Sequence, residues 1–228
     1  MSQALDYAPR PPSSDALTYD AEPMESARHV QQMTVLIEAL QYAWRERQDF
    51  YVGGNMFLYF SETQSRKNDF RGPDVFVVLD TTRRERRAWI VWEENGKTPD
   101  VIIELLSETT ENVDRGEKMQ IYARALKVGE YFLFDPFSGV LEGYELDVLP
   151  KRYRPKRPDA EGRLWCEQLG LFLTKVRSTL YAVDADWLRW MDANGRVLEL
   201  PIESADAEAR RADRAEAELA ALKAKHGL

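Results

Sequence analysis

The 228-residue sequence is poor in the residues that much enzyme chemistry recruits. Its single cysteine, Cys166, excludes an intrachain disulfide and a zinc site built on cysteine. Only two histidines occur, His29 and His226, which leaves little support for histidine triads, HExxH sites or two-histidine nuclease motifs. Neither a GxxxxGK[ST] loop nor a GxGxxG turn is present. No apolar run approaches the roughly 18 residues of a membrane span. The N-terminal MSQALDYAPRPPSSDALTYDAEP lacks the basic-then-apolar pattern of a secretory leader, so the expectation is a soluble cytoplasmic chain with no membrane partner. A basic excess is missing too: the formal net charge is −8, which argues against a general nucleic-acid coat held by Lys and Arg. An enzyme that meets nucleic acid through bound cations is not excluded by that charge. Any chemistry therefore falls to carboxylates and lysines.

What is present is enough for a core, with 44% apolar and 11% aromatic residues. Residues 1–23, with four prolines, read as a flexible arm, 24–201 as the folded domain, and 202–228 as a charged, alanine-rich helix. From Met24, the spacing of Val30, Met33, Ile37, Leu40 and Trp44 predicts a helix. Strands are expected at YVGGNMFLYFS (51–61), GPDVFVVLD (72–80), RRAWIVWEE (86–94), TPDVIIELLS (98–107) and EYFLFDP (130–136). A helix from Asp114 to about Leu126, with Gly129 as C-cap, joins the last two. Asn194-Gly195 predicts a hairpin in WLRWMDANGRVLEL. In the tail, Ala205, Ala212 and Leu219 recur every seven residues, with Ala215 and Leu222 between them, a seam interrupted at Glu208. It reads either as a lone charged helix or as a dimerising coiled coil. The basic runs RRERR (83–87) and KRYRPKR (151–157) read as solvated loops, or alternatively as phosphate contacts.

Three charges stand out in TPDVIIELLSETTENVDRGEKMQIY (98–122) and the strand before it. Glu104 interrupts a strand that is apolar on both faces, where a lone ionised carboxylate costs several kcal/mol. It must be protonated, ion-paired or bound to a cation. Asp74 opens the preceding strand, and neighbouring strands lie about 4.8 Å apart, so the two acids can meet at one end of the sheet. Two such carboxylates repel unless a hard divalent cation joins them. Lys118 has two readings. Either Asp114 caps the helix in a box with Glu117, or the helix begins near Thr110 and Asp114, Lys118 and Tyr122 share one face. Both place a cation where carboxylates or a phosphate would want it. Together the three residues describe metal-assisted phosphodiester hydrolysis, although each alone has an ordinary structural explanation, such as a plain Glu104–Lys118 ion pair.

GPDVFVVLD, TPDVIIELLSETTENVDRGEKMQIY and VGEYFLFDP, in that order, resemble the Uma2 (DUF820) family, a branch of the PD-(D/E)XK nuclease superfamily. The resemblance spans roughly residues 30–200. It implies an α/β, restriction-endonuclease-like fold, a mixed central sheet flanked by helices. It also implies that Asp74 and Glu104 bind Mg²⁺ or Mn²⁺ with help from the Leu105 carbonyl, and that Lys118 is catalytic. The superfamily lysine would fall at position 106, which is Leu here; Lys118 on the following helix takes its place. On the shared helix face Tyr122 is expected to buttress Lys118, with Asp114 as a further support, and the resemblance implies Glu38 as the acid of the preceding helix. Asp135 lies in a matching block but reads better as a strand-ending residue before Pro136. The expected activity is endonucleolytic cleavage of DNA by a homodimer; the rival expectation is an inactive nuclease-fold scaffold that assembles through its C-terminal helix.

Overall fold

The computed structural model describes residues 26–60, 70–107 and 110–226. The arm expected at 1–23 lies outside them. The central feature is a six-stranded sheet in the order β1-β4-β6-β7-β8-β9. Its strands are β1 (Phe50–Gly53), β4 (Val75–Leu79), β6 (Val101–Leu105), β7 (Glu130–Phe134), β8 (Leu141–Asp147) and β9 (Arg152–Pro155). Only β6 and β7 run parallel; the other pairs are antiparallel. A parallel pair needs a crossover, and the helix α2 (111–126) supplies it. Every residue of β6 and β7 is buried, which explains why both are apolar on both faces apart from Glu104 and Glu130. The architecture is thus α/β with a mixed central sheet, as the sequence leads one to expect.

Each face of that sheet carries its own core. On one face, α1 (Ala27–Ala43) packs Val35, Leu36, Ala39 and Leu40 against Val75, Val77, Val101, Ile103 and Leu105. A second, three-stranded sheet covers α1 from outside: β10 (Leu164–Cys166), β11 (Leu171–Leu180) and β12 (Val183–Met191). Lying between two sheets turns the buried stripe of α1 away from the expected one, so Val30 is 43% exposed while Gln32 is fully buried. Gln32 answers that burial by bonding the Leu188 backbone at both ends, Nε2 to the carbonyl at 3.0 Å and Oε1 from the N–H at 2.9 Å. On the other face, α2 sets Tyr122 and Leu126 over Phe76, Val78, Ile102, Tyr131 and Leu133.

Several local expectations change. The aromatic stretch at 51–61 is two strands, since β2 (Leu58–Tyr59) leaves the main sheet to join β3 (Phe70–Arg71) and β5 (Trp89–Ile90) in a small sheet. The break falls at Gly54, where the chain runs so close to Asp74 that a Cβ would collide with the Asp74 carbonyl. The 86–94 stretch keeps only the two residues of β5 as strand, because the chain turns immediately after Ile90. At α2, Lys127 in the left-handed region ends the helix, not Gly129. The main hairpin of the second sheet is β11–β12, turned by Tyr181 and Ala182, both at positive φ. The Asn194-Gly195 turn closes a single bridge, Met191 to Val197. The helix α3 (Pro201–His226) forms as expected.

Candidate active site

The register of β4 against β6 pairs Val75 with Ile103, so one step further sets Asp74 opposite Glu104. Side chains alternate along a strand, which puts Asp74 with Phe76 and Glu104 with Ile102 on the face covered by α2. The two acids brace each other through backbone. Asp74 N–H donates to Glu104 Oε2 at 3.2 Å, and Leu105 N–H donates to Asp74 Oδ2 at 2.6 Å. Of the Leu105 main chain, it is therefore the N–H that meets Asp74, while its side chain turns into the α1 core.

The helix α2 begins at Glu111 after Thr110, so the second sequence reading holds and the Asp114 capping box does not form. Asp114, Lys118 and Tyr122 face the strands together. Lys118 Nζ lies 2.7 Å from Asp114 Oδ1 and 3.2 Å from Glu104 Oε1, and the Tyr122 hydroxyl donates to the same Oε1 at 2.7 Å. Two stretches of α2, Asp114–Lys118 and Tyr122–Leu126, wind as π-helix, a widening that tends to mark functional sites. One of them carries the lysine.

Glu104 is fully buried. Burial pushes its carboxyl above the ordinary range, and the Asp114 charge adds to that, against the pull of Lys118, Tyr122 and the Asp74 N–H. Burial alone would lower the Lys118 ammonium, but Glu104, Asp114 and Asp74 outweigh it and hold it above its usual value. Burial and the Glu104 charge raise the Tyr122 phenol well above normal, which keeps it a proton donor. Three carboxylates thus act on one ammonium, an acid surplus in a dry setting. That surplus, built from hard oxygen donors, fits a divalent cation. Among the described residues no group of three or more His, Cys, Asp or Glu side chains is arranged to hold a metal by itself. Two carboxylates with water and substrate oxygens make up the kind of shell in which Mg²⁺ is commonly held.

Glu38 is not brought to this cluster. It stands on α1, on the opposite face of the sheet, close enough to Tyr181 to help raise its phenol. The basic runs are largely absorbed in internal pairs. Arg86 and Arg84 both hold Glu94, and Lys156 holds the buried Glu130. Asp135 serves its own turn, accepting from the Phe137 and Ser138 N–H groups. Two contributors escaped the sequence reading. Tyr131 donates from its hydroxyl to the Asp114 carbonyl at 2.9 Å and meets the Tyr122 ring edge-on at 5.3 Å. Gly54 permits the close pass behind Asp74; the Gly-Gly pair at 53–54 was its only trace in the sequence.

No curated protein matches the chain. Among solved structures, the chain is similar to a crystal structure titled a "putative nuclease belonging to DUF820" from Anabaena variabilis, at 16% identity and a TM-score of 0.43. That likeness covers 61% of this chain and 73% of the other. The model of the family described as "Uma2: Putative restriction endonuclease" matches residues 19–174, and the chain belongs to that family.

Proposed function

We propose that this protein is a Mg²⁺- or Mn²⁺-dependent endonuclease that hydrolyses DNA phosphodiester bonds. The observation that carries the reading is the meeting of Lys118 with Glu104 across from Asp74, in a cluster whose acids outnumber its base. Asp74 and Glu104 would hold the cation. When bound, it would polarise a phosphate oxygen and lower the pKa of an attached water. The chain's own residues do the rest. Lys118 remains an ammonium because Glu104 and Asp114 keep it charged, so it can face the charge that grows on phosphorus. Tyr122 fixes the Glu104 oxygen it shares with Lys118, and Tyr131 fixes the backbone of Asp114. With a net charge of −8, the protein needs a cation between its acids and a polyanion.

The test is cleavage of assorted DNA substrates with Mg²⁺ or Mn²⁺. Asp74→Ala and Glu104→Ala should each lose at least about a hundredfold in rate while circular dichroism stays native. Cleavage that persists in both variants at the wild-type rate would exclude this site as the catalytic one.

A further inference from the structure

Beside the carboxylate–lysine cluster, the ends of β6 and β7 leave a cavity of about 380 Å³ lined by Leu106, Ser107, Glu111, Asp135 and Phe137. It is separate from the cluster but shares β6 and α2 with it. Leu106 follows β6 two residues after Glu104, roughly 7 Å along a strand. Glu111 precedes Lys118 on α2 by roughly 10 Å of helix. A strand with its phosphate at the cluster would pass this cavity within about two or three nucleotides, at ~3.4 Å per stacked step.

The lining has a definite chemistry. Phe137 is 71% exposed, yet its turn is rigidly held. Asp135 Oδ1 accepts from the N–H groups of Phe137 at 2.8 Å and Ser138 at 3.2 Å, Oδ2 accepts the Ser138 hydroxyl, and Gly139 N–H closes onto the Asp135 carbonyl at 2.8 Å. The His29 ring lies 5.8 Å from the Phe137 ring, itself anchored by a 3.0 Å contact from Nε2 to the Leu106 carbonyl. A fixed aromatic surface therefore stands at the rim with water beside it. The polar lining consists of a hydroxyl and two carboxylates, and no Lys or Arg is among the described lining residues. The Glu111 carboxylate faces Arg115 at 4.0 Å, so the wall is not purely anionic; it stacks a flat ring and accepts hydrogen bonds from amino groups.

We propose that the cavity between Phe137, Asp135 and Glu111 receives a nucleobase of the substrate strand, stacked on Phe137, with an exocyclic amino group toward the carboxylates. This rests on the nuclease reading above and assigns it a base-recognition site.

The experiment uses the full chain with Ca²⁺ in place of Mg²⁺, and single-stranded oligonucleotides carrying 2-aminopurine at successive positions. The wild type should quench one position. Phe137→Ala should lose that quenching and bind on the order of tenfold more weakly, while Phe137→Trp retains both. Because Phe137 is exposed, the Ala variant should melt like the wild type, which separates lost stacking from lost fold. Oligo(dC) should bind more tightly than oligo(dT), and equal affinity would overturn the role given to the carboxylates. If the wild type cleaves DNA but Phe137→Ala binds and quenches as it does, the cavity assignment fails and the nuclease reading stands. If the wild type neither binds nor cleaves nucleic acid with any of these cations, both fail.

Discussion

Glu104 sits where an acid is costly, and its neighbours show what offsets the cost. Lys118, Tyr122 and the Asp74 N–H all point to its two oxygens. Removing only one partner leaves a charge in a dry place, so Lys118→Met should destabilise by roughly 3–5 kcal/mol in urea unfolding. Because Lys118 also pairs with the buried Asp114, it takes the triple variant Glu104→Gln, Asp114→Asn, Lys118→Met to recover most of that loss, and that variant should be inactive. Recovered stability without activity would separate function from mere charge pairing. Gly54 acts from behind. Gly54→Ala should push the Asp74 carbonyl, cost about 1–3 kcal/mol, and weaken Mn²⁺ binding in calorimetry. Glu104 was legible in the sequence because a charge in an apolar strand needs a reason, whereas Asp74 followed from the spacing of neighbouring strands and Lys118 from the helical spacing with Asp114 and Tyr122. Tyr131 was not: a tyrosine in EYFLFDP reads as core, and only the fold brings its hydroxyl under Asp114. Glu38 failed to arrive for a similar reason, since helical spacing does not say which face of the sheet a helix will cover.

At the level of elements, short apolar runs were readable and their ends were not. β4, β6 and β7 sit where their sequences place them, since burial on both faces leaves a continuous signal. The β11–β12 turn was missed because Tyr181 and Ala182 carry none of the usual Asn or Gly marks, although both adopt positive φ. The loop before β5 shows how a basic run becomes structure. The hydrogen bond from Arg86, joined by the Arg86 and Arg84 charges, holds the Glu94 carboxyl below its usual value, and Arg86 also covers the rings of Tyr51 and Trp89. A carboxyl depressed in the folded state contributes stability that is present above its unfolded pKa and lost as pH falls through the folded one. The wild type should therefore melt higher than Glu94→Gln at neutral pH, with the gap closing below about pH 4.3. A gap that stays constant to pH 3 would remove the ion pair as its cause.

For the whole molecule, α3 stands apart. Its first turn is tied down by Arg189 on Glu203, at 2.9 and 2.7 Å, and by the Tyr42 hydroxyl on Ser204 at 2.8 Å. From Glu208 to Glu218 its side chains are exposed. Within one chain the exposed stretch from Glu208 to Glu218 contributes little, so deleting 208–228 should shift the domain's melting temperature by no more than about 2 °C. If the heptad seam joins two copies, the full chain should sediment as a dimer at tens of micromolar and the truncated one as a monomer. A truncated protein that still dimerises would move the contact elsewhere. Among the described residues, no helix is long and apolar enough to cross a membrane.

The crossed hydrogen bonds between Asp74 and the Glu104–Leu105 segment also govern how the sheet assembles. A strand slipped by one residue turns every side chain to the other face. Such a slip would thrust Asp74 or Glu104 into the layer of Val35, Leu36 and Ala39 beneath α1, away from Lys118, at a cost of several kcal/mol. Mispaired sheets are thereby penalised by the very groups the site requires. The acids thus disfavour misaligned strands, and if they hold the proposed cation, a divalent ion added during refolding should raise the yield of natively folded protein measured by circular dichroism, since only in the native register do both carboxylates face the same space.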